Sequence, residues 1–305
     1  MRDQPDNPTP RILLGTSGWS YADWEQTVYP SSSRSGRFDP LIFMAKYFDA
    51  LEINVSFYRP LTQRMTTSWV RRLGDDSPLR FAAKLHQRFT HQRDAMFSGG
   101  EVREFLEGLE PLWDAGRFGA LLLQFPWSFR NTPKERDWLS MLGEAFSHLP
   151  LVVELRHDSW ATDEALALLG RLQMNYCNID QPRLGHCIGP TAISNGRVGY
   201  FRFHGRNAET WFDQQAEASA RYDYLYDEAE LAEWVDRIRD VARESEETYV
   251  FTNNHYRGQA PANALQLKSL LTGGKVFVPP MLAATYPILN HIAADEPGRQ
   301  RMLFE

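Results

Sequence analysis

A chain of 305 residues, 43% hydrophobic and 24% charged, can bury a large core, and barrels of this length form one domain. Its formal net charge of −6 argues against a general nucleic-acid or membrane surface, so any anion site must be local. Its two cysteines, Cys177 and Cys187, form neither a disulfide framework nor a paired metal motif, and no apolar run approaches the roughly 18 residues of a membrane span.

Residues 1–10 are polar and Pro-rich and read as a flexible N-terminal arm ahead of a domain over 11–305. They contain no apolar core of the kind a secretory signal needs, so the expected location is cytoplasmic. Ile12–Trp19 reads as a buried strand opening into a Gly/Ser turn. A long aromatic loop with a flexible tip follows to Asp39, then a helix over Pro40–Ala50. Leu51–Tyr58 alternates as a second strand, with Glu52, Asn54, Ser56 and Tyr58 on one face. Leu61–Leu73 is helical after Pro60. Arg80–His86 is the third strand, with Ala82, Lys84 and His86 sharing a face, and a polar loop carrying His91 leads to a helix over Glu101–Trp113.

Phe118–Pro126 is a continuous apolar run, as in a strand covered on both faces, and Gln124 is its polar member before Pro126. Thr132 caps a helix to His148. Leu151–His157 is the fifth strand, with Glu154 and Arg156 on one face, and Thr162–Leu172 is helical. Gln173–Asp180 is the sixth strand, grouping Tyr176, Asn178 and Asp180 and turning Cys177 toward the helices as inert core. Gln181–Arg197 is Pro/Gly-rich and reads as no helix. In Val198–Arg206, Tyr200, Arg202, His204 and Arg206 share one face. The aromatic segment 207–226 is a candidate lid. Asp227 caps a helix to Arg243, Thr248–Tyr256 is the eighth strand, and Gln259–Leu271 is a helix. Residues 272–305 receive no assignment.

Eight strands alternating with helices point to a single (β/α)8 barrel, irregular between strands six and seven. No Gly-x-Gly-x-x-Gly turn supports an open doubly wound sheet instead. In six strands the polar residues gather at the C-terminal end on one face, which is where this fold keeps its active site.

The runs GTSGWSYADW with Tyr29–Pro30, then EINVSFYRP, LLLQFP, ELRHDSW, YFRFHGR and FTNNHYRGQAPANA resemble the YecE-like family, domain of unknown function 72. The resemblance covers roughly residues 11–271 and implies a (β/α)8 barrel with a shared rim, not a reaction. The chain departs from the family at Val55–Ser56, where small hydroxyl residues are more usual.

Three chemistries compete at that rim. In the first, the enzyme binds a small anionic ligand, phosphorylated or sugar- or nucleotide-like, and performs acid/base or hydrolytic chemistry. Glu154, His204, Glu52 and Asp180 are its catalytic candidates. Lys84, Arg156, Arg202, Arg206, Asn253, Asn254, Trp19 and Gln124 are its ligand-binding candidates. Asn253, Asn254, Gly258 and the start of the last helix form a corner where this fold often holds phosphate, and His255, Tyr256 and Arg257 add ligand-ready groups. The alternative for these charges is a satisfied ion-pair lattice, Glu154–Arg202 above all.

In the second, Glu52, Glu154, Asp180, His204 and His86 hold a divalent metal that cleaves phosphodiesters in nucleic acid, although no motif requires any cofactor and the net charge disfavours that partner. In the third, the protein is a ligand-binding module or scaffold with no open pocket. No membrane or protein partner is expected. Ser17, in Gly-Thr-Ser-Gly, reads as a place for backbone approach and not as a nucleophile. The rim aromatics Trp19, Tyr21, Trp24, Tyr58, Trp127, Trp160 and Trp211 read equally as stacking surfaces or loop packing.

Overall fold

In a computed structural model, which describes residues 11–30, 38–211, 213 and 220–295, eight parallel strands close on themselves in the order β1 to β8. The strands are β1 (Arg11–Ser17), β2 (Ala50–Ile53), β3 (Arg80–Lys84), β4 (Phe118–Gln124), β5 (Leu151–Glu154), β6 (Met174–Asp180), β7 (Val198–Phe203) and β8 (Glu247–Thr252). The helices are α1 (Pro40–Met44), α2 (Val55–Tyr58), α3 (Gln63–Leu73), α4 (Gln87–Thr90), α5 (Gly99–Asp114), α6 (Pro133–Ala145), α7 (Asp163–Arg171), α8 (Glu228–Glu244), α9 (Gln259–Thr272) and α10 (Pro280–Thr285). This is the (β/α)8 barrel that the alternating pattern indicated. The terminal arm, the tip of the first long loop and part of the candidate lid lie outside the described residues. The tail beyond α9 packs back through α10, and Val276 bridges Ala293.

The helix starts follow local sequence. Thr132 and Thr162 accept backbone N–H bonds in the first turns of α6 and α7, and Asp227 with Glu230 closes a capping box on α8. Inside the barrel the packing is lopsided. Ala50, Ala82 and Ala120 from β2 to β4 leave room that Tyr200, Tyr249 and Phe251 from β7 and β8 fill. Above that apolar layer, on the same inward parity, stand Ser17, Glu52, Lys84, Gln124, Glu154, Arg202 and His204.

Two expectations about the strands are corrected. The second strand stops at Ile53, its last pair with β3, and the chain turns into α2. The Ser56 hydroxyl donates to the carbonyls of Ile53 and Lys84, which satisfies acceptors the ladder leaves open at that bend. On β6 the parity is as expected but the faces are exchanged. Cys177 lies in the barrel interior, while Asn178 and Asp180 face outward. The missing helix explains this. The irregular segment 181–197 covers β6 with backbone groups that need polar partners. Asn178 accepts from Ile193 N–H and the Thr191 hydroxyl and donates to the Ile193 carbonyl.

Candidate functional site

The centre of the barrel mouth is a chain of charges, buried except at Arg156 and at the face it turns to the cavity above. Arg202, 1% exposed, donates to Glu52 Oε1 at 2.7 Å and to Glu154 Oε2 at 2.5 Å. Ser17 and Tyr200 hydroxyls donate to the two oxygens of Glu52, each at 2.7 Å. Arg156 Nε donates to Glu154 Oε1 at 2.8 Å. Burial alone would raise the Glu154 carboxyl, but the Arg202, His204 and Arg156 neighbours outweigh it and hold it well below 4.5. Burial would likewise lower Arg202, and Glu52 and Glu154 keep it charged.

His204 is wholly buried between Asn253 and Glu154. The Asn253 amide lies 3.0 Å from Nδ1, and Glu154 Oε1 lies 3.2 Å from Nε2. The Arg156 guanidinium also lies 3.4 Å from Nε2, so both ring nitrogens face protein groups. Burial pushes the imidazole down to about 3, so it stays neutral with both nitrogens engaged. His204 therefore has no nitrogen left open to a substrate. The ion-pair lattice that stood as the alternative for Glu154–Arg202 is present.

Above the lattice opens a cavity of about 620 Å³. Of the charged side chains lining it, Arg59, Arg72, Lys84, Arg156 and Arg202 are cationic and Asp39 is anionic. Asp39 pairs with Arg72 at 2.9 Å. Among the described residues Lys84 Nζ has no hydrogen-bond or ion-pair partner, and it stands 3.8 Å from the centre of the Phe57 ring. Burial, then the charges of Arg202 and Arg156, pull its ammonium down to about 7 against the opposing pull of Glu154 and Glu52. Gln124 and Asn253 also line the cavity. Trp19 stands at its wall with Trp69 edge-on at 5.3 Å. Tyr21 stacks on His255 at 4.5 Å, and Tyr222 lies 5.0 Å from the same ring. Trp211 lies under the Arg156 guanidinium at 5.5 Å.

Other candidates are held elsewhere. Asp180 and Arg206 pair with each other on the outer side of the barrel, where Asp180 also accepts from Trp234 of α8 at 2.8 Å and Arg206 reaches Glu230. Asn254 donates to the Tyr224 carbonyl and to Asn263 of α9, away from the mouth. His86 caps α4 by accepting from Arg88 N–H. The proposed phosphate corner is filled: the start of α9 is buried, and a Cβ on Gly258 would meet Val28 at 2.7 Å. Trp160 is core, donating to the Phe129 carbonyl. The candidate metal set is thus dispersed, and Arg202 stands between its two remaining carboxylates. Among the described residues no group of three or more His, Cys, Asp or Glu is placed to hold a metal ion. Among the same residues, no helix is long and apolar enough to cross a membrane.

The sequence reading passed over two participants. The Ser17 hydroxyl grips Glu52, where only backbone approach was expected, and Tyr200 does the same from the face it shares with Arg202. Their signal was parity, since Ser17 is in register with Glu52 and Tyr200 sits one pleat below Arg202. Arg59, Arg72 and Asp39 carried no signal, because they lie outside the strands.

A family model described as a protein of unknown function, DUF72, matches residues 13–285. The chain belongs to the DUF72 family. The UPF0759 protein YunF of Bacillus subtilis (strain 168) is 25% identical over 273 residues, covering 85% of this chain and 94% of that protein. A DUF72 family protein of Thermotoga maritima MSB8 superposes with a TM-score of 0.76 at 34% identity, over 86% of this chain and 99% of that one. One from Enterococcus faecalis V583 gives 0.74 at 25% identity, over 86% and 95%. This DUF72 barrel therefore shares its fold with solved relatives, whose names assign no reaction.

Proposed function

We propose that the mouth of this barrel binds a small anionic molecule and performs acid/base chemistry on it, with Arg156 and Arg59 engaging the anion and Lys84 the group that exchanges protons. The observation that carries this reading is the cationic lining of the cavity in a chain of net charge −6. The carboxylates Glu52, Glu154 and Asp39 balance Arg202, Arg156 and Arg72, and the excess positive charge of the lining is carried by Arg59 and Lys84. Glu52 and Glu154 are already committed to Arg202 and Arg156, and Lys84 stands outside the pairing. An acid/base group works best when its pKa lies near the operating pH, and here Lys84 fits that condition better than Glu154 or His204. The open cavity also favours a ligand-binding site over a scaffold with a sealed rim.

Tryptophan fluorescence and chemical-shift mapping with inorganic phosphate and oxalate as probes test this. Saturable binding is expected, weakened about tenfold in Arg156→Met and less in the exposed Arg59→Met, since a charge-assisted hydrogen bond contributes about 1.5–3 kcal/mol. Binding that is absent, or unchanged in both variants, overturns the reading.

A further inference from the structure

We propose that Lys84 is an imine-forming nucleophile and that the ligand of the mouth is a short aldehyde or ketone bearing a carboxylate or phosphate. The inference rests on the anion-binding reading above and deepens it. Three features of the geometry point to it. Lys84 ends β3 on the inward parity, at the floor of a cavity with room for a ligand of several heavy atoms. Its amine has no hydrogen-bond or ion-pair partner among the described residues, whereas a lysine that clamps structure is paired. The Phe57 ring, 3.8 Å from Nζ, offers the amine no hydrogen bond, although its face favours the ammonium. The groups that face it from other elements favour the uncharged amine. Arg202 of β7 and Arg156 after β5 repel a second cation, His91 after α4 is itself held neutral, down to about 3, and the carboxylates Glu52 of β2 and Glu154 of β5 are engaged by the two arginines. Desolvation beside other cations is the recognised way to make a lysine nucleophilic at neutral pH.

The step balances without a further reactant. The amine lone pair forms the N–C bond as the carbonyl π pair moves to oxygen. One N–H proton passes to that oxygen and gives a carbinolamine. The C–O bond then breaks, the hydroxyl leaves as water with the second N–H proton, and C=N forms. The cations at the cavity wall would hold the ligand's carboxylate or phosphate while the carbonyl carbon meets Nζ.

Trapping tests the assignment on the intact chain. The protein is incubated at pH 7 with glyoxylate, pyruvate or glycolaldehyde phosphate and sodium cyanoborohydride, then read by intact mass and peptide mapping. At least one of the three is expected to give a single adduct on Lys84, equal to the compound less one oxygen. It should form at least ~10-fold faster than on the exposed Lys275, because the neutral amine is the reacting form. Lys84→Arg, which keeps the charge, should lose the adduct while slow modification of the exposed Lys275 is unchanged. No preferential modification of Lys84 by any of the three overturns the imine. If phosphate binding persists in that case, the anion site stands without it. If phosphate binding fails too, both readings fall.

Discussion

Two arginines four residues apart on one segment, Arg202 and Arg206, each sit among carboxylates, and they live in different media. Arg202 joins Glu52 and Glu154 inside the barrel with its side chain 1% exposed. Arg206 joins Asp180, Glu230 and Glu233 on the outer side with its side chain 19% exposed. The switch is Gly205, whose φ of +89° is a conformation that glycine adopts without strain, and whose N–H donates to the Tyr226 hydroxyl at 2.9 Å. The inner carboxylate Glu154 is held well below its ordinary value, mainly because Arg202 and its neighbours outweigh burial. On the outer side burial outweighs the arginine, and Asp180 is pushed up. The same residue types thus make a rigid charged floor in one place and a buttress between barrel and helix in the other.

The comparison is broken most severely from the inside. Arg202→Met would leave Glu52 and Glu154 buried with their main countercharge gone, at an expected cost of about 3–5 kcal/mol in urea unfolding. Adding Glu52→Gln and Glu154→Gln to that variant should recover a large part of the loss, because a buried pair costs most when only one side is removed. A cost below about 1 kcal/mol for the single variant would mean that water reaches the floor, and the contrast between the two clusters would vanish.

Acid separates the two regions by sign. His91 and His204 are pushed down to about 3 by burial, from an ordinary value of 6.5. Between those values the unfolded chain binds more protons than the folded one, so stability must fall as pH falls from 6.5 toward 3. Glu154 acts in the same direction at lower pH, since its contribution is present above 4.5 and lost as pH drops through its lower folded value. Asp180 acts oppositely, binding its proton more readily when folded. Urea midpoints measured from pH 7 to 3 should decline, and His204→Gln should flatten part of the decline. Midpoints that hold constant over that range would contradict neutral, desolvated imidazoles at the inner site.

Much of this was legible in the sequence, and the limits have physical causes. The barrel was readable because each strand pairs an apolar run with a polar C-terminal end, and because Thr132, Thr162 and Asp227 announce helix starts. The inner floor was readable on β7 because parity carries Arg202 and His204 to one face without interruption. Parity gave no warning of the turn at Gly205, so Arg206 was assigned to the mouth. On β6 alternation was right but its sense was not, since the absence of a following helix turns Asn178 and Asp180 outward to meet irregular backbone. That Lys84 is unpaired was not legible at all. Its potential partners Glu52 and Glu154 come from strands distant in sequence, and only the closed barrel reveals that Arg202 and Arg156 already hold them.

The gentlest way to sharpen the comparison is at the outer cluster. Asp180→Asn keeps an oxygen to accept from Trp234 Nε1, which donates at 2.8 Å in the native protein, and leaves Arg206 with Glu230 and Glu233. It also removes a carboxylate that burial already disfavours. The lost attraction to a partly exposed arginine is therefore offset by relieved desolvation, and the expected change is within about 1 kcal/mol. The substitution should leave inorganic phosphate binding at the mouth untouched, because Asp180 faces the helices and not the cavity. Urea unfolding and phosphate titration of this one variant measure both. A large loss of phosphate affinity would mean that the outer cluster reaches the mouth through β6 and β7, and the two regions would have to be treated as one.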